Sequence, residues 1–222
     1  MVNAQGASTV RFLMCMFLVA AILSLDSPSL SARPVSSVRV PLTICLTNEA
    51  GVPWKTVLGV EGRVTAMFKE SAIELRWLNY DPSLNAPGRP ASCGRLTYPD
   101  HLMIHWIRKA RSAPSDVLGE VFLDEQDAGV IADLFLDHVQ TVESEAKVGF
   151  GNLLACATAH EIGHLLLGIN SHSSRGIMHG HFHEQELGAI RSGALAFEHE
   201  EEVRMHSRLL GDPLPFLLAN GR

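Results

Sequence analysis

Residues 152–178, NLLACATAHEIGHLLLGINSHSSRGIM, limit the folds open to this chain more than any other stretch. From Leu153 to Gly168 the run is apolar enough to be buried, and it reads as a core helix. Inside it stand His160, Glu161 and His164, an HExxH arrangement. Burying such groups without partners costs several kcal/mol, so the core around them must supply some. Two histidines four apart lie about 40° from each other around a helix of 3.6 residues per turn, which sends both imidazoles from one face. That spacing suits two nitrogens on one tetrahedral zinc ion. Glu161, beside the first histidine, can reach a metal-bound water without binding the metal.

The residues that follow extend the pattern. Gly168 ends the helix, because glycine tolerates the left-handed conformation at a helix C-terminus. The chain can then turn back and offer His172 as a third ligand. Three protein ligands leave the fourth position to water, as in a catalytic rather than a structural zinc site. Zinc brings the pKa of such a water near neutrality, and Glu161 can accept its proton as it attacks a carbonyl carbon. The same carboxyl can return the proton to a leaving amine. The expected reaction is peptide-bond hydrolysis, with a peptide or protein as substrate. The bend HGHFH offers His179, His181 and His183, which read as solvated loop residues, although His179 could line the cleft. In a gluzincin arrangement Glu184 or Glu186 would be the third ligand instead.

Residues 160–178 resemble the metzincin clan of zinc metallopeptidases, marked by HExxHxxGxxH and a following Met-turn. The resemblance implies that His160, His164 and His172 bind Zn2+, that Glu161 is the general base, and that Met178 in Gly176-Ile177-Met178 forms a floor beneath the metal. It also implies an α+β fold: a mixed, mostly parallel five-stranded sheet with a backing helix, an active-site helix and a C-terminal helix. The edge strand above the cleft, residues 117–123, would pair with extended substrate. The spacing departs from the family's. Gly168 lies four residues after His164 and His172 eight, where the pattern has three and six, and Asn170 takes the family's third-ligand place. A wider turn can absorb two extra residues. The wording HEIGHLLLGINSHSSRGIM is also more similar to exported bacterial zincin-like proteins than to the well-known peptidase subfamilies. A zinc-binding structural or protein-binding module without turnover is the alternative function.

The rest of the chain fits an exported single domain. Arg11 precedes an apolar run at 12–25, followed by DSPSLSARP, so residues 1–32 read as a secretory signal cleaved near Ala32. An uncleaved anchor is the alternative, and the run is shorter than the roughly 20 residues a spanning helix needs. A secreted or periplasmic location follows, with no stable membrane insertion after cleavage. Residues 33–222 are enough for one domain with a sizeable core. The net charge is −6, with acids and bases mixed, and no basic stripe suggests nucleic acid. Cys45 and Cys93 are the expected disulfide, because Cys156 sits inside the central helix, four residues before His160, as a small buried apolar residue.

Periodicity places strands at 38–46, 73–80, 101–108, 117–123 and 129–139, with His101, His105 and His138 as surface or packing residues of strands. A helix is expected at 53–71, with Pro53 in its first turn and Gly59 and Gly62 weakening its middle. A second helix occupies the core run, and a third is expected at 198–210, with acids in its first turn and Arg208 in its last. Residues 81–100 and 109–116 read as loops.

Overall fold

The computed structural model describes residues 38–80, 93, 99–110, 113–125, 128–168, 170 and 172–211. The expected signal at 1–32 and most of the loop at 81–100 lie outside the described residues. Five strands and five helices follow in the order β1 (Val40–Asn48), α1 (Trp54–Phe68), β2 (Ile73–Tyr80), β3 (His101–Ile107), β4 (Gly119–Phe122), β5 (Ile131–Phe135), α2 (Leu136–Ala146), α3 (Phe150–Leu167), α4 (Glu184–Ser192) and α5 (His199–Leu209). The architecture is α+β. One five-stranded sheet has the order β2-β1-β3-β5-β4. All pairs are parallel except β4 with β5, which is antiparallel.

Alternation along the strands decides which face is covered. Leu42, Ile44 and Leu46 on β1 and Leu102, Ile104 and Trp106 on β3 are at most 1% exposed, and Ala132 and Leu134 on β5 are fully buried. The cross-strand registers put these residues on one face. Helix α1 packs there through Val57, Val60, Val64 and Phe68, and the Trp77 indole N–H donates to Thr65 Oγ1 at 3.0 Å. Parallel β1 and β2 need a crossover of this kind, since a tight hairpin cannot join them. The apolar spacing carries α1 through Gly59 and Gly62 without a break. Helix α3 packs against α1 and the same sheet face, and 14 of its 18 residues are buried. Each large apolar side chain removed from water in this layer contributes about 1.5–3 kcal/mol. On the opposite face Cys45 is bonded to Cys93, the pair expected from the place of Cys156 in the central helix.

One expected element is two. The strand expected at 129–139 stops at Phe135, and α2 begins at Leu136. The run GVIADLFLDHV alternates only as far as Phe135. Beyond it Leu136, Val139 and Val142 recur at three-residue spacing and face the core, while Asp137 stands in the first turn, where the helix dipole favours an acid. His138 therefore belongs to a helix. Its Nδ1 lies 2.7 Å from the Val117 carbonyl oxygen, and the Phe135 N–H donates to Leu118 O at 2.9 Å, so the start of α2 fixes the approach to β4. His101 pairs with Asp100 and His105 with Asp133, as surface and packing residues would. Among the described residues no helix is long and apolar enough to cross a membrane.

Candidate metal centre

Helix α3 presents His160 and His164 from one face, near its C-terminal end. Their Nε2 atoms are 2.9 Å apart. Gly168 caps the helix in the left-handed conformation (φ 64°, ψ 36°), and its N–H donates to His164 O. The chain then returns past Asn170 and brings His172 to the pair. The His172 ring stacks on His160 at 5.2 Å between centroids and meets His164 edge-on at 5.0 Å. One ligand atom from each of the three histidines lies within 4.8 Å of the others, and no other set of three such groups occurs among the described residues. The longer spacing after His164 is thus absorbed by the loop. The exposed Asn170 lines the same cleft but is not needed to complete the set.

The three imidazoles fit a divalent first-row metal ion. The His160 Nδ1–H donates to the Ile177 carbonyl oxygen at 2.7 Å, which fixes the tautomer and leaves Nε2 free to coordinate. Burial, helped by the neighbouring His164, drives the His160 pKa down to about 3, so its ring is neutral near pH 7, the form that binds metals. Burial, with His181 and His179 next in effect, also lowers that of His172. Imidazole donors suit zinc, copper, iron and nickel better than calcium or magnesium.

A tight turn supports the centre from below. Ser173 N–H donates to Met178 O at 2.9 Å, and Ile177 N–H to Ala196 O at 3.0 Å, while Gly176 takes φ 77°. Met178 is 1% exposed and packs against Gly163, one residue before His164. A Cβ at Gly163 would stand 3.1 Å from Phe197 Cε1 and closer still to the Met178 sulfur. Similarly, a Cβ at Gly180 would lie 3.0 Å from the His172 ring, so glycine there lets the chain pass flat against the imidazole.

Glu161 is 5% exposed and points toward the edge strand. A Cβ built at Gly119 would fall 2.7 Å from its Oε1. Burial pushes the Glu161 carboxyl up to about 8, with Glu120 adding to the effect. A dication at the histidines would draw it back toward the charged form. The histidines and Glu161 lie in a cleft of about 880 Å³. Strand β4 forms one border, and α2 and α4 contribute Val142, Ala146 and Leu187. Among the described residues β4 pairs only with β5, so its other edge has no strand partner.

The rival ligands are otherwise engaged or outside the set. Glu186 is buried, accepts from the His183 N–H at 3.1 Å and lies 3.2 Å from His179 Nδ1. His183 serves in the capping box of α4. Glu184 and His181 are exposed on the cleft wall. Cys156 is 1% exposed, and burial pushes its thiol up to about 12, as expected of an inert core residue. Sequence reasoning missed the wall made by α2 and the closeness of Gly119 to Glu161. The three-residue apolar spacing after Phe135 could have revealed the first. Comparisons with protein-family models and with curated proteins find no match for the chain.

Proposed function

We propose that the chain is an exported zinc-dependent endopeptidase of metzincin type, with His160, His164 and His172 as metal ligands and Glu161 as general base. The observation that carries this reading is the convergence of three imidazoles beside a buried carboxyl in an open cleft. Placement of Met178 under Gly163 and the antiparallel edge strand beside the site support the metzincin type. Bound there, zinc would supply Lewis acidity, acidifying water and polarising a carbonyl oxygen. Glu161 would take a proton from the attacking water on a carboxylate oxygen and pass it to the leaving amine. Backbone groups on the unpaired edge of β4 would hold extended substrate in register. The apolar side chains from α2 and α4 leave room for a substrate side chain. Export rests on the character of residues 1–32.

Chelation is the test. The chain, stripped of metal, is expected to lose hydrolysis of an unfolded protein substrate and to recover it on addition of zinc. A zinc-loaded chain that cleaves nothing across a varied peptide library would instead be a silent zinc-binding module.

A further inference from the structure

His172 has a weaker hold than its two companions. His160 and His164 stand on a buried helix, whereas His172 is an exposed loop residue between the end of α3 and Met178. Its neighbour Ser173 is tied twice. The Ser173 N–H donates to Met178 O, and the Ser173 hydroxyl donates to Glu201 Oε1. Glu201 lies on the first turn of α5 and is 5% exposed. Its other oxygen accepts from the Glu198 N–H at 2.9 Å, the capping bond of that helix. A single buried carboxylate therefore joins the start of α5 to the residue next to His172. Arg175 reinforces the same junction through Glu198 at 2.6 Å.

We propose that Glu201 is a positioning residue for the metal centre, holding His172 in ligand position through the Ser173 hydroxyl. This rests on the reading of His172 as third ligand. Leaving a buried carboxylate in place is costly unless its acceptors are used, and here both oxygens have donors. The bond crosses 28 residues of sequence, so it fixes the loop to an element already docked in the core. Groups that orient a metal ligand typically change metal affinity 10–100-fold when removed.

The test uses the full chain and cobalt(II), whose d–d absorption reports ligand number and geometry. Ser173→Ala and Glu201→Ala are each expected to weaken cobalt binding by about tenfold or more and to reduce the four-coordinate absorption. Ser173→Thr, which keeps the hydroxyl, should restore both. The double variant should bind about as weakly as either single one, since both remove the same contact. A merely structural role would lower thermal stability of the metal-free chain but leave the affinity and spectrum of the variants parental. Parental binding in Ser173→Ala and Glu201→Ala, with His172→Ala weakened, would overturn the proposal alone. No cobalt binding by the parent, or parental binding by His172→Ala, would overturn the metal-site reading and the proposal with it.

Discussion

Replacing Glu161 by glutamine is expected to lower kcat for peptide hydrolysis by about 10²–10⁴-fold while the chain keeps its metal. Glutamine has nearly the shape of glutamate, so the packing of α3 against Gly119 on β4 is retained. What it lacks is an oxygen that can accept a proton. Glu161 does not belong to the ligand set, which consists of His160, His164 and His172. Metal content should therefore match that of the parent. The loss should fall on kcat rather than KM, because the proton is transferred in the transition state and not on binding. Steady-state kinetics alongside metal analysis separates these effects. Loss of metal together with activity would assign Glu161 to the integrity of the centre instead.

Gly119→Ala should damage the protein in two ways at once. An added Cβ would fall 2.8 Å from the Asp133 carbonyl oxygen and 2.7 Å from Glu161 Oε1. The first neighbour is backbone of β5 and cannot swing aside. Overpacking of this kind costs about 1–3 kcal/mol, more than the few tenths expected of an ordinary surface change. The edge strand or the carboxyl must move, and either shift would misplace the base or the substrate. Hydrolysis is expected to fall more than stability alone explains. Gly188→Ala in α4 is the control, because nothing lies within 4 Å of its added Cβ. Alanine there should be neutral or stabilise by up to about 1 kcal/mol, since it favours the helix. Urea unfolding and initial rates on the two variants check the contrast.

The contrast between local and non-local features explains what the sequence reveals. Helix α3 is legible because its apolar run and its two histidines are set by the 3.6-residue period alone, and the same holds for β2, whose bounds match at both ends. The convergence of His172 was open to reading because only a short turn separates it from Gly168. The junction of β5 and α2 was not, because a short apolar run satisfies both periods until enough residues follow. The Ser173–Glu201 bond and the approach of Gly119 to Glu161 depend on how α5 and β4 dock, across 28 and 42 residues of chain, and no local pattern encodes them. Met178 is expected from the resemblance of its turn, not from any periodicity of the chain. Its place beneath Gly163 follows from the turn that returns the chain to α3.

The central claim is a three-histidine metal centre, and X-ray absorption at the zinc edge of the metal-loaded chain tests it most directly. Three imidazole nitrogens at about 2.0–2.1 Å and one oxygen are expected. In His172→Ala one imidazole should be lost from the shell. A chain that binds no zinc, or one whose zinc shell is unchanged when His172 is removed, would contradict the account.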